Sequence, residues 1–272
     1  MRFPGRTVLV TGASQGVGLA TVQRFHAEGA HVVLLARREG PLKEAARGLD
    51  PQRTFVIAAD VADTAALPGV VDRVIDRFGG IDGLVNNAGA HFRGPLESRS
   101  ADEIATMVDV NLRAPLVLTR LVLPELRSRG GFVVNVASLA GKVPLDGAVT
   151  YSATKFGLRA FTFALAEELR GSGIRISAVS PGPIDTAFIM DEIDEVADIT
   201  FSQTMCTAAD VAEMVLDCAE DGTLEREFPA LGGKLATLAY LVPAVRRMLK
   251  PRLEARGRRV KERLRRERPG RE

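Results

Sequence analysis

Short runs of aliphatic and β-branched residues recur along the chain, spaced widely enough for a helix between most successive pairs. Arg6–Val10 (RTVLV), His31–Leu35 (HVVLL) and Thr54–Ala58 (TFVIA) are the first three. Gly83–Asn86 (GLVN), Phe132–Val136 (FVVNV), Ile174–Val179 (IRISAV) and Glu227–Leu231 (EFPAL) follow. Several are apolar without alternation, which predicts strands covered on both faces, as in a parallel sheet. The intervening segments carry helical spacing: Gly18–Ala27, Asp63–Phe78, Asp102–Arg127, Ser152–Arg170 and Ala208–Ala219. Thr207 supplies an N-cap for the last of these. The alternation predicts an α/β, doubly wound, mostly parallel seven-stranded sheet in three layers. Thr186–Gln203 fits neither pattern and reads as a loop or lid. After Gly233 the rhythm stops. Leu235–Val245 is apolar apart from Thr237 and Tyr240, and a basic run opens at Arg246. The expected division is a single domain over 1–233 and a helical, apolar-then-basic extension over 234–272.

Composition narrows the setting. The chain has 272 residues, of which 46% are hydrophobic, enough for one large core. Its two cysteines, Cys206 and Cys218, form no CxxC pair, which argues against a disulfide framework or a zinc cage and for a reducing, cytoplasmic setting. The N-terminus enters a strand pattern at once, so no signal peptide is expected. No apolar stretch reaches the roughly 18 residues that a spanning helix needs. The net charge of +2 conceals an asymmetry: Arg246–Glu272 holds 13 Lys/Arg against 4 Asp/Glu, while the remainder of the chain is acidic. Three readings of the extension stay open. It packs on its own domain or a partner subunit with a solvated, frayed basic end, or it inserts at an anionic membrane surface, or it binds nucleic acid. The basic run lacks interleaved aromatic residues, which argues against the last.

The first strand runs into Thr11-Gly12-Ala13-Ser14-Gln15-Gly16-Val17-Gly18. Gly12 allows a tight turn, and Gly16 and Gly18 let backbone and helix approach a pyrophosphate. The following helix presents unpaired N–H groups and a positive dipole end, a ready site for phosphates. A glycine-rich turn alone is weak evidence, but its place between strand and helix predicts a Rossmann-type dinucleotide site. The second strand ends in Ala36-Arg37-Arg38. An NAD site places a carboxylate near there. Here the acid is missing and two guanidiniums follow, each able to grip a 2′-phosphate, so NADP(H) is expected over NAD(H).

Tyr151 and Lys155 are one turn apart on a predicted helix and face the same way. A phenol ordinarily titrates near 10, and a neighbouring ammonium favours the phenolate. Taken alone, such a pair is more often a surface contact. Ser138, however, follows the strand FVVNV at the carboxyl edge of the expected sheet. Asn111 sits inside a long helical pattern, where Asn is a poor former and asks for a reason.

Together, Gly12, Gly16 and Gly18, Asn86-Asn87-Ala88-Gly89, Asn111, Ser138, Tyr151 with Lys155, and Pro181-Gly182 with Thr186 resemble the classical short-chain dehydrogenase/reductase family, over about residues 5–233. The resemblance implies that Tyr151 exchanges a proton with a carbonyl or alcohol oxygen. Ser138 orients that oxygen. Lys155 holds the nicotinamide ribose and lowers the tyrosine pKa, and Asn111 holds a water in a proton relay. It implies that Ser14, Gln15 and Val17 line the phosphate turn and that Asp60 and Val61 contact adenine. Asn87, Ala88 and Gly89 would line the cofactor, and Pro181, Gly182, Ile184 and Thr186 its nicotinamide end. Asn86 and Pro183 are expected to serve backbone geometry. It implies hydride transfer without metal; His26, His31 and His91 form no ligand spacing, which agrees. His91 is read as a loop residue or one facing the substrate. A homodimer or homotetramer and a hydrophobic carbonyl/alcohol substrate such as a steroid, retinoid or ketoacyl chain are expected. The alternative is a non-catalytic interaction protein acting through its tail.

Overall fold

Residues 1–267 are described by a computed structural model. The strands are β1 (Thr7–Thr11), β2 (His31–Ala36), β3 (Thr54–Ala58), β4 (Gly83–Asn86), β5 (Phe132–Val136), β6 (Arg175–Pro181) and β7 (Glu225–Phe228). They form one sheet in the order β3-β2-β1-β4-β5-β6-β7, and every neighbouring pair is parallel. Helices α1 (Gly16–Ala27), α2 (Glu39–Ala45), α3 (Leu67–Phe78), α4 (Ala101–Val108), α5 (Ala114–Arg129), α6 (Val149–Glu168), α7 (Ala187–Met190) and α8 (Ala208–Asp221) lie between them. Helices α9 (Ala230–Leu241) and α10 (Pro243–Glu267) follow β7. This is a Rossmann-type three-layer α/β/α fold.

The central strands β1, β4 and β5 are buried along their whole length, which is why they read as continuous apolar runs. One face packs Val10, Val32 and Val134 against Phe25 of α1 and Val215 of α8. The other packs Leu9, Leu84 and Val133 against Val74 of α3 and Leu118 of α5. A polar tie crosses this apolar middle: Asn86 Nδ2 donates to Asn135 Oδ1 at 2.8 Å, and Asn135 Nδ2 donates to Thr162 Oγ1 at 2.9 Å. Asn86 therefore contributes a side-chain link between strands, a role beyond the expected backbone geometry.

Four expectations change. Strand β7 ends at Phe228, earlier than the apolar run EFPAL suggested, because Pro229 caps the start of α9. Helix α2 is short and its sequence, with Gly40 and Pro41, gave no periodic signal. The continuous helix expected over Asp102–Arg127 is two helices joined by a π-helical turn, Asp109–Arg113. Finally, the basic end is not frayed over its described length, although most of its arginines are exposed. Helix α9 begins at Ala230, across the expected 233/234 boundary, and α10 is continuous to Glu267. The last part of the basic run, 268–272, lies outside the described residues.

Candidate active site

The strand order reverses between β1 and β4, and their carboxyl ends diverge into a crevice, the usual ligand site of an open α/β sheet. A cavity of about 1000 Å³ opens there. Gly12, with φ +64°, turns the chain out of β1; a Cβ on it would stand 2.9 Å from Ala88 Cα. A Cβ on Gly18 would stand 2.2 Å from Gly12 O, so helix α1 approaches the turn as closely as only glycine permits. Thr11 Oγ1 accepts from the backbone N–H of Asn87 and of Ala88, both at 3.0 Å. Asn87 Nδ2 donates back to Thr11 O at 2.9 Å and Gly12 O at 3.2 Å. These bonds lock the β1 and β4 turns into one rigid rim.

That rim suits a dinucleotide phosphate. The N-cap of α1, Gln15, makes no side-chain cap and the first turn holds no acid, so its N–H groups and dipole end stay available to an anion. Gly12, Ser14, Gln15, Gly16 and Val17 line the cavity, as do Arg37, Arg38, Asp60 and Val61 at its far end; Gly18 backs it. Arg37 and Arg38 are exposed and make no ion pair among the described residues. Asn87, Ala88 and Gly89 lie along its middle. Pro181, Gly182, Ile184 and Thr186, following β6, line the opposite wall.

Helix α6 brings Tyr151 and Lys155 to the same cavity, and the end of β5 brings Ser138. Lys155 is buried, and its Nζ donates to Val136 O at 2.8 Å. Burial pushes its pKa down to about 8. Burial pushes the Tyr151 phenol up, while a hydrogen bond with Ser138 and the charge of Arg93 pull it down. The acidifying partners differ from the expected one. The Lys155 ammonium is 5.7 Å from the Tyr151 ring centre and engaged with Val136.

Asn111 lies in the π-turn between α4 and α5 and is fully buried. A π-turn widens the helix and commonly sits at a working site. Its Oδ1 accepts from Ala90 N, and its Nδ2 donates to Ala90 O, both at 2.8 Å. Nδ2 also reaches Thr154 Oγ1 at 3.2 Å. The side chain thus clamps the loop after β4 onto α6, which is the reason for an Asn in mid-helix.

That loop carries two residues on which the sequence gave little purchase. The His91 ring stacks on Tyr151, centres 4.1 Å apart and planes 11° from parallel. Arg93 is buried and spends its guanidinium three ways. Nη1 donates to His91 Nδ1 at 2.7 Å, Nη2 to Phe188 O at 2.9 Å and Nε to Glu192 Oε2 at 2.9 Å. Phe188 and Glu192 belong to the segment after β6 that reads as a lid. Arg93 therefore ties that lid to the ring beside the phenol. A lone Arg two places after a loop His offers no pattern, and its other partners, Phe188 and Glu192, are about a hundred residues away.

The extension completes the cavity. Leu231, Leu235, Ala236 and Ala239 of α9 and Leu249 and Leu253 of α10 line it. Farther along, α10 docks on the lid, where Val260 and Leu264 pack on Ile189, Val196 and Phe201. Lys261, also buried, donates to Val196 O at 2.7 Å and Asp194 O at 3.1 Å. Arg258 pairs with Asp198 at 3.1 Å, and Arg265 pairs with Asp194. The acidic lid and the basic tail are therefore partners.

A family model described as short chain dehydrogenase matches residues 6–197. Ketoacyl reductase HetN of Nostoc sp. is 40% identical over 181 residues, 65% of this chain and 63% of that one, so the match spans less than two thirds of that relative. L-fucose dehydrogenase of Mus musculus is 38% identical over 188 residues, 68% of this chain and 67% of that one. Dehydrogenase/reductase SDR family member 7B of Bos taurus is 30% identical over 250 residues, 85% of this chain and 77% of that one. With most of its length matched by one model, and a phosphate turn at the sheet's reversal point, the chain belongs to the short-chain dehydrogenase family, oxidoreductases that use a nicotinamide dinucleotide.

Proposed function

We propose that the chain moves a hydride between NADP(H) and a carbonyl/alcohol pair on a hydrophobic substrate. One observation carries this reading: Tyr151, Ser138 and Lys155 converge on a cavity with a phosphate turn at one end and an apolar helical wall at the other. Gly12, Ser14, Gln15, Gly16, Val17 and Gly18 hold the pyrophosphate, and Asp60 and Val61 flank the adenine. Arg37 and Arg38, in no ion pair among the described residues, grip the 2′-phosphate. Asn87, Ala88 and Gly89 support the middle of the dinucleotide, and Pro181, Gly182, Ile184 and Thr186 its nicotinamide end. The bound dinucleotide supplies or accepts the hydride.

In reduction, Tyr151 Oη donates its proton to the carbonyl oxygen, and in oxidation it takes the proton back. Ser138, already bonded to the phenol, orients that oxygen and steadies its growing negative charge. Lys155 keeps its charge below about pH 8, holds the nicotinamide ribose and returns a proton toward the phenol. Both amide atoms of Asn111 are engaged with Ala90, so its part in the water relay falls to its main chain at the widened turn.

The wall formed by Leu231, Leu235, Leu249 and Leu253 supports a steroid, retinoid or ketoacyl chain over a small sugar. Residues 1–233 then act as the catalytic unit and the extension, over its described residues 234–267, as its cover, in a homodimer or homotetramer of a cytoplasmic protein. A second reading adds peripheral contact with an anionic membrane. Leu231, Leu238, Leu241 and Met248 are exposed beside Arg247 and Arg252, which suits interfacial insertion. No helix among the described residues is long and apolar enough to cross a membrane. The test follows NADPH absorbance with a panel of steroids, retinal, 3-oxoacyl thioesters and simple aldehydes. Turnover of a hydrophobic carbonyl, with kcat/KM about tenfold or more higher for NADPH than for NADH, is expected. No turnover across the panel sinks the reaction, and equal use of NADH sinks the NADP assignment.

A further inference from the structure

Arg93 is a buried charge that no step of the proposed reaction calls on. It follows the turn after β4, yet two of its three hydrogen bonds go to the lid: Nη2 to Phe188 O and Nε to Glu192 Oε2, each at 2.9 Å. Its guanidinium carbon also stands 5.6 Å from the Phe188 ring centre. The third bond runs the other way, from Nη1 to His91 Nδ1 at 2.7 Å, and the His91 ring lies flat on Tyr151. A guanidinium donates in a fixed fork, so satisfying Nε and Nη2 on the lid also sets where Nη1 points. Burial and the charges of Arg93 and Lys155 push the His91 pKa down to about 3, so the ring is neutral and the charge reaching the phenol from this side is that of Arg93. Groups that share the cavity with the phenol answer to other elements. Lys155 of α6 is engaged with Val136 O, Ser138 after β5 bonds the phenol itself, and Asp146 of the loop before α6 is paired with Arg246 and Lys250 of α10.

We infer that Arg93 is a positioning residue that makes the proton donor answer to the lid: Phe188 O and Glu192 hold its guanidinium against His91, and with it His91 against Tyr151. The inference rests on the proposed role of Tyr151 for its meaning in the reaction. Burial raises the phenol's pKa, and the Ser138 bond and the charge of Arg93 lower it, so a guanidinium held in this place favours the phenolate. When the lid lifts, the guanidinium keeps one partner of three and turns toward water, because a buried donor left unpaired is costly. The phenol then loses the charge that acidified it. Proton exchange is thereby confined to the closed site.

The chain has two tyrosines and no tryptophan, so in a Tyr240→Phe background the ultraviolet absorbance of phenolate titrates Tyr151 alone, without substrate or turnover. Arg93→Met keeps the apolar stem and removes the charge. The titration midpoint is expected to move to higher pH, and Arg93→Lys to bring part of it back. Glu192→Ala decides the coupling by sign. The Glu192 side chain is 47% exposed, so this variant is expected to fold even if the substitutions at buried Arg93 do not. A guanidinium that stayed in place would have lost an opposing charge, and the midpoint would fall. A guanidinium released with its lid partner makes the midpoint rise, which is the expected result. An unchanged or lower midpoint in Glu192→Ala, or an unchanged one in Arg93→Met, overturns the inference. In turnover, the acid limb of kcat for alcohol oxidation, which needs the phenolate, is expected to move to higher pH in the same variants. A limb that stays while the absorbance midpoint moves removes Tyr151 as the base and leaves the coupling to Arg93 standing.

Discussion

The two ends of the cavity are built on opposite principles. At the cofactor end, backbone approaches backbone, and the side chains are small: four hydrogen bonds from Asn87 and Ala88 to Thr11 and Gly12 lock β4 to β1. At the substrate end, α7 and the loop after it meet α10 through an apolar cluster around Val260 and Leu264, a buried lysine and ion pairs. Yet each end depends on one glycine at a contact where no Cβ fits. Gly18 is 2.2 Å from Gly12 O by that measure, and Gly257 is 1.8 Å from Asp198 O. The first contact serves a ligand every family member shares. The second fastens a cover that shapes what else can enter.

Chemistry can first be separated from both ends. Tyr151→Phe removes the proposed proton donor while leaving the ring that stacks on His91. Turnover is expected to fall by about 10²–10⁴-fold, the range for general acid–base catalysis, while cofactor Kd by NADPH fluorescence changes little. Near-normal turnover would remove Tyr151 from the reaction. Gly18→Ala is next in size. Its Cβ must displace the Gly12 carbonyl or the Asn87 amide, so cofactor KM is expected to rise about tenfold or more, with a loss of about 1–3 kcal/mol in stability. A cofactor KM within twofold of normal would show that the rim is softer than its contacts suggest.

The same contrast decides how much could be read in the sequence. Strands β1, β4 and β5 are buried on both faces, so composition alone exposed them. The phosphate turn and the Tyr151–Lys155 pair are local patterns, with spacing set by a turn or one helical rise, and such patterns survive in a string of letters. Asn111 was legible as an anomaly but not as a cause, because its partners Ala90 and Thr154 are brought by other elements. The role of Arg93 was illegible for the same reason: it joins His91 of its own loop to Phe188 of α7 and Glu192 just beyond it. The lid and tail misled further. Asp194 and Asp198 looked solvated, and so did Arg258 and Arg265, because a charge reads as solvated until its partner is in view.

Gly257→Ala tests the second contact through the sign of its effect. In a free, exposed helix the change would stabilise by about 1 kcal/mol, since Gly is a poor helix former. In a docked helix the new Cβ drives into Asp198 O, and α10 must lift from the lid. The expected outcome is a fall in Tm of several degrees and a rise of about fivefold in substrate KM, with cofactor KM near normal. A higher Tm with unchanged KM would mean that the tail does not cover the site in solution.

Salt gives the smallest expected effect and sharpens the comparison from the other side. The pairs Arg258–Asp198 and Arg265–Asp194 are largely solvated on at least one partner, so each contributes at most about 1 kcal/mol and is screened as the Debye length shrinks to about 3 Å near 1 M salt. The apolar contacts of Val260 and Leu264 are not screened, and the Lys261 bonds to Val196 and Asp194 carbonyls, shielded from water, are screened far less. Docking of α10 therefore outlasts the ion pairs, and substrate KM is expected to rise no more than about twofold. Arg37 and Arg38 face the opposite case: they are exposed and their expected partner is a solvated 2′-phosphate. NADPH KM is thus expected to rise about threefold or more over the same range. If substrate KM proved the more salt-sensitive of the two, charge rather than packing would hold the cover, and the distinction between a rigid rim and a packed lid would have to be redrawn around the ion pairs.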